Sequence, residues 1–388
     1  MVNFERIYIA YEDCMRRKSS SPSALQFSFA LLAKELTRIA EDINERKYEH
    51  GNSSCFAITC PTAREIYAAQ FRDRVVQHFF CQEVKPLLEK TFIDTTCSCR
   101  KKKGTDYALR KLREFVMEVS DGGIGDCFYL KLDMSGYFMS IRRERVTRLM
   151  TELIEREYHG NYKEELLYLT PIIYMNNPAK SRIMKTSREI WSQIPERKRM
   201  DPDGETGLAI GNITAQDGSN LNLNEFDHYC TESLGFKEYV RYVDDAIILG
   251  RSKQKLLDIL PLIERKLAES GQKLNPRKTK IDTAYHGIKF LGKMTYPYGY
   301  QRMTKESAGR TMKAAREFRL NENYLSKLNA QAGRTKHYAC RNLMADYIKA
   351  LPPEVKEKVY FDEGKWKFVK IKEESNNVRR TESNAVGQ

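Results

Sequence analysis

Two adjacent carboxylates, Asp244 and Asp245, lie inside the apolar run EYVRYVDDAIILG, which spans residues 238–250. Neighbouring aspartates repel each other, and a fold tolerates the pair when positive charge lies beside it. A divalent cation is the usual source of that charge, because hard cations prefer carboxylate oxygens. The pair therefore predicts a metal-dependent site.

The flanking residues predict a β-hairpin, with one strand ending at Val243 and a second strand over Ala246–Leu249. A third carboxylate, Asp133, ends the apolar run CFYLKLD, which is typical of a buried strand. If the strands are neighbours, Asp133, Asp244 and Asp245 can hold two Mg²⁺ ions about 4 Å apart, the spacing used for in-line phosphoryl displacement. The alternative is ordinary core strands that end in solvated, Asp-rich turns, because short motifs predict function weakly.

Further segments share the order found in one enzyme family. They are FRDRVVQHFF (71–80), LLEKTF (87–92), RKKKGTDYAL (100–109), LKLDMSGYFMSI (130–141), GLAIGNITAQ (207–216), NLNEFDHY (222–229), RYVDD (241–245), LNPRKTKI (274–281) and FLG (290–292). With these segments the chain resembles the reverse transcriptases, in particular the prokaryotic group of group II intron, diversity-generating retroelement and defence-associated enzymes. No single segment is specific, but their shared order is.

The resemblance implies an α+β fold, a right-hand polymerase with fingers, a palm whose antiparallel sheet carries the YVDD hairpin, and a helical thumb. Residues 1–50 predict two helices, with a break at Ser19–Pro22 and the second helix over Ala24–Glu45. The expected divisions are N-terminal helices and fingers (1–125), first palm segment (126–145), helices with an insertion (146–206), palm with YVDD and primer grip (207–300), thumb (301–372) and disordered tail (373–388).

The implied activity is RNA-directed DNA polymerisation with two Mg²⁺ ions, for which Mn²⁺ is a substitute. The implied metal ligands are Asp133, the main chain of Met134, Asp244 and Asp245. Lys278 matches a lysine proposed to protonate the pyrophosphate leaving group, and its alternative is a strand-edge lysine. Phe138 matches an aromatic residue that excludes a 2′-hydroxyl, and its alternative is a core position.

The resemblance also assigns contacts to phosphate. Arg64 and Arg72 match basic positions that reach the triphosphate of the incoming nucleotide or the template backbone, and guanidinium groups bind phosphate in bidentate fashion. For Arg72 the alternative is an ion pair with the adjacent Asp73. Relatives often carry a lysine just before this turn, where residues 58–60 are Ile, Thr and Cys. We therefore expect part of the phosphate grip to be missing or supplied elsewhere.

The block GLAIGNITAQ is expected to border the nucleotide. Gly211 lets the backbone approach template, primer and nucleotide closely. Ile210 replaces the glutamine of retroviral and many intron enzymes, and an apolar residue there is typical of diversity-generating enzymes. Gln216 belongs to the same block, and Ala215 departs from the serine that most relatives place before it.

Three basic or apolar segments are expected to contact nucleic acid. Their residues are Lys101, Lys102 and Lys103 in the run before Gly104, Phe290, Leu291 and Gly292 in the primer grip, and Arg310, Lys313 and Arg316 in the thumb. Together with Arg319, the thumb residues recur every three positions, which predicts one basic helical stripe. Solvated surfaces are the alternative for the loop and for the stripe.

Composition agrees with a polyanionic partner, since 66 Lys and Arg against 52 Asp and Glu give a net charge of +14. The expected partners are an RNA template, a DNA or RNA primer and dNTPs, with a structured non-coding RNA and an accessory protein as further candidates. No stretch approaches the ~18 apolar residues of a membrane span, and the N-terminus carries acids where a signal peptide would be apolar. We expect a cytoplasmic protein without a membrane partner.

Nine irregularly spaced cysteines predict reduced thiols rather than a disulfide framework. A zinc site from His78, Cys81, Cys97 and Cys99 is an alternative, although Cys-x-Cys spacing suits a tetrahedral site poorly.

Alternative functions remain open at this point. The chain could be a catalytically idle RNA-binding module, or a protein-primed or template-independent DNA polymerase. We expect no endonuclease or RNase H module, which favours a domesticated role. Antiphage defence is the preferred cellular role, and error-prone copying by a diversity-generating retroelement is the alternative.

Overall fold

The computed structural model describes residues 1–16, 27, 32–59, 62–336 and 338–371. The chain divides into two compact units, Met1–Phe115 with Gly125–Thr283, and Val116–Ile124 with Ala284–Gln388. The second unit therefore takes a short segment from the first half of the chain. The predicted break at Ser19–Pro22 and the predicted tail at 373–388 lie outside the described residues.

The first unit is mainly helical around a four-stranded sheet. Its helices are α1 (Phe4–Met15), α2 (Leu32–Asn44), α3 (Phe71–Thr91), α4 (Thr105–Val119, whose last residues belong to the second unit), α5 (Tyr137–Ser140), α6 (Arg143–Glu157), α7 (Lys163–Tyr174), α8 (Arg188–Ser192), α9 (Ile213–Asn222), α10 (Asn224–His228) and α11 (Lys253–Glu269). Its strands are β1 (Ser54–Ile58), β2 (Arg64–Ala68), β3 (Phe128–Asp133), β4 (Ile183–Met184), β5 (Tyr239–Tyr242), β6 (Asp245–Gly250) and β7 (Lys280–Thr283).

The four-stranded sheet has the order β5-β6-β3-β7 and is antiparallel throughout. Strand β6 is one of its two inner strands, and consecutive residues Ala246–Leu249 are buried on both faces of the sheet, each no more than 1% exposed. Helices α1, α2, α3, α6 and α7 contribute to the same hydrophobic core. A second sheet, ordered β2-β1-β4, pairs β1 with β2 from Ile58 opposite Arg64.

The predicted hairpin is present with shifted limits. Strand β5 ends at Tyr242 and β6 begins at Asp245, so Tyr242 and Asp245 pair across a turn of two residues, Val243 and Asp244. The prediction that the first strand ends at Val243 and the second begins at Ala246 is wrong by one residue on each side. The shift matters because it puts one aspartate in the turn and the other in the strand.

The second unit contains helices and two small antiparallel sheets. Its elements are β8 (Ile288–Phe290), β9 (Lys293–Thr295), β10 (Gln301–Met303), α12 (Lys305–Arg316), α13 (Tyr324–Gly333), α14 (Arg341–Ala350), α15 (Pro353–Lys356), β11 (Val359–Asp362) and β12 (Lys367–Lys370). Strands β8, β9 and β10 form one sheet and β11 pairs with β12. The segment expected to be a helical thumb thus also contains a β-hairpin, whose Phe368 packs with Tyr347 in the core of this unit.

Residues 116–124 are tied into the second unit by Ser120. The Ser120 hydroxyl is buried and donates to the carbonyl of Pro297 at 3.2 Å, and it accepts a bond from the Gly123 N–H at 3.0 Å. Among the described residues, none of the helices combines the length and apolar character that crossing a bilayer requires.

Candidate active site

The three predicted carboxylates meet at one end of the four-stranded sheet. Asp133 ends β3 and lies directly opposite Asp245, the first residue of β6. Side chains directly opposite on antiparallel strands point to the same face, with Cβ atoms about 4.5–5.5 Å apart. Asp244 occupies the adjoining turn, and its carbonyl accepts a bond from the Met134 N–H at 3.3 Å. Strand register therefore brings together residues more than 100 positions apart.

Two lysines neutralise part of this negative charge. The Lys278 ammonium lies 2.9 Å from Asp133 Oδ2, and the Lys131 ammonium lies 3.5 Å from Asp245 Oδ1. Within the described part of the chain, Asp244 has no ion-pair partner. Burial, followed by the charges of Asp245 and Asp133, raises the pKa of Asp244 to about 6. The uncompensated charge is therefore concentrated on the turn aspartate.

Lys278 stays cationic in this environment. The hydrogen bond to Asp133, strengthened by the charges of Asp245 and Asp244, raises the pKa of Lys278 despite its partial burial. The residue lies in the turn before β7, not in a strand. A protonated lysine beside a carboxylate suits proton donation or charge neutralisation.

The chemistry of this donor set fits a divalent cation. Burial, joined by the Asp133 charge, raises the pKa of Asp245, although the Lys131 ammonium lies beside its carboxylate. Over the described residues, no three His, Cys, Asp or Glu side chains are arranged as a ready metal site. At this site Lys278 and Lys131 contact two of the three carboxylates. A cation would replace these lysines as the partner of Asp133 and Asp245.

The zinc alternative has no geometric support in the described chain. His78 Nδ1 is 2.8 Å from the Asp13 carboxylate, and the Cys97 thiol donates to the Thr95 carbonyl at 3.1 Å. Burial raises the pKa of the Cys97 thiol to about 12, which disfavours the thiolate that zinc requires.

The turn that carries Asp244 is strained. Val243 has φ of 59°, in a region that a β-branched residue rarely adopts and that costs about 1–3 kcal/mol. Two contacts hold it there: Arg241 Nη1 donates to the Val243 carbonyl at 2.9 Å, and the Val243 N–H donates to Ser98 Oγ at 3.2 Å. The surrounding structure, not local preference, therefore fixes the position of Asp244.

Arg241 belongs to a buried charge network beneath the turn. Arg241 and Asp227 are fully buried, and Nε and Nη2 bond to the two carboxylate oxygens at 2.6 Å each. Tyr239 and Thr96 hydroxyls also donate to Asp227, at 2.6 Å each. Burial opposes the charge of Arg241, but Asp227 outweighs it and raises the pKa of Arg241. The sequence analysis predicted no role for Asp227, although an aspartate inside the segment NLNEFDHY could have drawn attention to it.

A family model supports the assignment made from the motifs. The model described as reverse transcriptase (RNA-dependent DNA polymerase) matches residues 59–294, more than half of the chain. The chain belongs to the reverse transcriptase family. No curated protein sequence matches it significantly.

Solved telomerase structures resemble this reverse transcriptase in fold. Apo telomerase from Candida tropicalis aligns with TM-score 0.51 and 11% identity over 78% of this chain and 57% of the telomerase chain. Telomerase from Candida albicans in complex with the TWJ fragment of telomeric RNA aligns with TM-score 0.46 and 12% identity over 78% of this chain and 55% of that one. The reverse transcriptase spans just over half the length of these telomerase chains. The first likeness, at 11% identity, shows the fold alone, and it confirms the predicted α+β polymerase class.

Gly211, in the reverse transcriptase block GLAIGNITAQ, is required by packing. Gly211 has φ of 119°, and a Cβ atom there would clash with the carbonyl oxygen of Tyr67 on β2. The Tyr67 N–H donates to the Ile210 carbonyl at 2.8 Å, which draws β2 onto this block. Gln216 is exposed and lines a cleft of about 870 Å³ with Gly211 and Lys101. The nucleotide contacts assigned to these residues stay predictions.

The two predicted phosphate-binding arginines differ in their surroundings. Arg72 forms a 2.5 Å ion pair with Asp42 and stacks over Tyr48 at 4.9 Å. Its partner is therefore Asp42 instead of the adjacent Asp73, which is buried and accepts a bond from the Tyr48 hydroxyl. Arg64 is half-buried and has no ion-pair partner among the described residues.

Phe138 is half-buried at the start of α5 and packs against the main core of the unit. Its ring lies 5.5 Å from that of Tyr137, edge to face, and its carbonyl accepts a bond from the Leu208 N–H at 2.9 Å. The contacts fix the main chain on the helix that follows Asp133. The role as sugar gate stays a prediction.

The basic run before Gly104 separates into two pairs. Arg100 is buried against Glu89, and Lys103 donates to the Asp94 carboxylate at 2.7 Å. Lys101 and Lys102 are exposed. Of the three lysines predicted to contact nucleic acid, Lys103 is thus engaged within the protein.

In the second unit, the predicted primer grip is a hairpin. Leu291 and Gly292, with φ of 46° and 78°, form the two-residue turn between β8 and β9, while Phe290 is fully buried. Arg310, Lys313 and Arg316 are exposed on one helix, α12. The helix ends at Arg316, so the prediction that Arg319 continues the stripe is wrong.

Proposed function

We propose that this protein is an RNA-directed DNA polymerase that extends a primer by nucleotidyl transfer. The observation that carries the proposal is the placement of Asp133 opposite Asp245, with Asp244 in the adjoining turn. Three carboxylates crowded at a sheet end, inside a chain of the reverse transcriptase family, support phosphoryl-transfer chemistry.

The residues have separate tasks in the proposed reaction. Divalent cations, Mg²⁺ or Mn²⁺, bound by Asp133, Asp244, Asp245 and the main chain of Met134 would lower the pKa of the primer 3′-hydroxyl and stabilise charge on the triphosphate. Lys278, released from Asp133 when the cations bind, donates a proton to the departing pyrophosphate or neutralises its charge. Phe138 excludes the 2′-hydroxyl of ribonucleotides.

The proposed nucleic-acid partners are an RNA template and a DNA or RNA primer. A net charge of +14 favours such a partner through release of condensed counterions. Exposed Lys101 and Lys102 in the first unit, and the α12 stripe in the second, are the proposed backbone contacts. The protein is proposed to act in the cytoplasm, with a structured RNA or an accessory protein as additional partner.

Primer extension on poly(rA)/oligo(dT) with Mg²⁺ tests the proposal. We expect extension by the wild type and by Asp126→Asn, which removes an exposed carboxylate outside the site, and none by Asp244→Asn. Binding of RNA without any extension would instead support an idle binding module. A DNA product that stays attached to protein after denaturation would support protein priming.

For the cellular role we propose antiphage defence. Ala215 and the absence of the lysine before Pro61 depart from the family pattern, as expected for a lineage released from copying a coding cassette. Ile210 favours the alternative, a diversity-generating retroelement. Expression with the native flanking RNA or partner gene should reduce phage plating, and Asp244→Asn should abolish that protection. Near-identical repeats beside the gene, with mutations at template adenines and unchanged plating, would support the alternative.

A further inference from the structure

The insertion between β4 and α9 is anchored on β2 by one buried carboxylate. Glu65 is fully buried and accepts bonds from Trp191 Nε1 at 2.8 Å, the Met200 N–H at 2.8 Å and the Tyr67 hydroxyl at 3.0 Å. Buried charges are stable only when donors satisfy them in this way. The Arg199 guanidinium also lies over the Trp191 ring at 4.1 Å. Residues 191–200 are therefore held firmly against the strand that carries Arg64.

The anchored segment delivers two cations to the loop that follows Asp133. A 3₁₀ turn over Glu196–Lys198 carries Arg197, which is exposed, and Lys198, which is half-buried. The Arg197 carbonyl packs against Gly136, 3.5 Å from where a Cβ atom would lie. Burial, followed by the charges of Arg197, Arg64 and Lys278, lowers the pKa of Lys198. Cations from three separate segments thus act on Lys198.

Three of these four cations lack compensating charge, whereas Lys278 pairs with Asp133. Arg64, Arg197 and Lys198 take part in no ion pair with the described residues. Arg197 also lines a cleft of about 490 Å³ together with Arg142, Lys273 and Gly136, and no carboxylate lines this cleft. Like charges held together by a rigid support require an anion for the same reason that the crowded aspartates require a cation.

We propose that Arg197 and Lys198, together with Arg64, form a polyphosphate site that holds the triphosphate of the incoming dNTP. The inference rests on the proposed polymerase function and deepens it. It supplies the phosphate contact that this chain lacks at residues 58–60, where relatives often carry a lysine. Nucleic-acid backbone is a second source of phosphate, but a triphosphate concentrates its charge in one place, as this compact cluster does, whereas a backbone spreads single charges along a groove. Position beside Lys278 and the loop after Asp133 also favours the nucleotide.

Steady-state kinetics with separate titrations of dTTP and of poly(rA)/oligo(dT) test this site. For Lys198→Ala and Arg197→Ala we expect the KM for dTTP to rise about tenfold each, with kcat and the KM for primer–template changed less than twofold. Arg188→Gln is the matched control, because it removes an exposed cation from the same insertion outside the cluster. A raised KM for primer–template with an unchanged KM for dTTP would assign the cluster to the nucleic-acid backbone and overturn the proposal.

A binding measurement separates this inference from the polymerase function. Calorimetric titration with inorganic tripolyphosphate should show binding to wild type and Arg188→Gln, and about tenfold weaker binding to Lys198→Ala. Loss of this difference would overturn the site even in an active polymerase. Its presence in a protein that fails primer extension would leave the anion site standing and remove the polymerase function.

Trp191→Phe tests the anchor as a positioning device. It removes one of three donors to Glu65 while keeping an aromatic ring, so Arg197 and Lys198 remain on a weakened support. We expect the KM for dTTP to rise about threefold with kcat unchanged. An unchanged KM for dTTP would show that the anchor has no part in placing the cluster.

Discussion

Arg241 and Asp244 are three residues apart but lie in opposite electrostatic environments. Arg241 and Asp227 are fully buried, and each carboxylate oxygen of Asp227 accepts at least two hydrogen bonds. Asp244 lies beside two other carboxylates, without an ion-pair partner among the described residues. The charges of Arg241 and Asp227 are therefore balanced by each other, whereas the charge of Asp244 in the turn is not balanced by any cation among the described residues.

The contrast separates structural charges from functional ones. A buried ion pair holds a fold when its geometry and hydrogen bonds are complete. Backbone strain and repulsion between like charges persist where the surrounding structure imposes them, and both are expected at functional sites. Here the Arg241–Asp227 pair imposes the strain directly, because Arg241 donates a hydrogen bond to the carbonyl of Val243, whose φ is positive.

The largest expected effect comes from removing the charge of Asp244. Asp244→Asn should lower primer extension at least about a thousandfold, because a metal-ligating charge disappears at constant volume. Folding should be retained, as measured by circular dichroism. Asp126→Asn should extend primers like the wild type. Near wild-type extension by Asp244→Asn would refute the active-site assignment.

Breaking the buried Arg241–Asp227 ion pair should lower the stability of the protein. Arg241→Met leaves Asp227 buried without its cation and should lower the free energy of unfolding by about 3–5 kcal/mol in denaturant titrations. Arg148→Met breaks an exposed i,i+4 pair with Glu152 and should change it by less than about 0.5 kcal/mol. Similar decreases in the free energy of unfolding for the two variants would mean that the buried network stabilises the fold no more than an exposed ion pair does.

The pH dependence of stability should expose the repulsion at the turn. Because burial, Asp245 and Asp133 raise the pKa of Asp244 from 3.8 to about 6, the folded state holds this proton more tightly than the unfolded chain. Without divalent ions, its contribution to stability should therefore fall as pH rises from about 4 to 7, making wild type less stable than Asp244→Asn by about 1–3 kcal/mol at pH 7. Thermal melts should show Mg²⁺ reducing this gap. A gap independent of pH would argue against repulsion as its cause.

The smallest effect concerns backbone strain. At Val243, glycine relieves the positive φ whereas alanine keeps it, so Val243→Ala should be less stable than Val243→Gly by about 1 kcal/mol. At Val240, in regular strand β5, the order should reverse. Denaturant titration of the four variants gives both differences, and the same order at both positions would exclude strain at the turn.

Local patterns predicted much of this site. Apolar runs predicted that Asp133 ends a strand and that Asp244 and Asp245 lie in a hairpin turn, and the family order of the motifs brought those strands together. The predicted limits failed by one residue at the turn because Val243 adopts a conformation that its side chain disfavours. Such strain comes from Arg241 and Ser98, and Ser98 is 145 positions away in the chain.

Long-range pairing accounts for what the motifs did not predict. Arg72 pairs with Asp42 instead of its neighbour Asp73, and Gly211 is required by the Tyr67 carbonyl. The positions of Arg197 and Lys198 depend on a Glu65 bond that spans 126 residues. A motif specifies residue types at short spacing, so it contains no signal for partners that only the folded chain brings together.

Residues 116–124 have a practical consequence for dissecting the gene. They belong with residues 284–388, although the chain reaches them in the middle of the other unit. A fragment ending at residue 283 would retain Ser120 without its Pro297 partner, and a fragment beginning at 284 would lack the segment altogether. Expression of the second unit by itself therefore calls for a chimera in which 116–124 is fused to it, because a single cut in the reading frame cannot separate the two units.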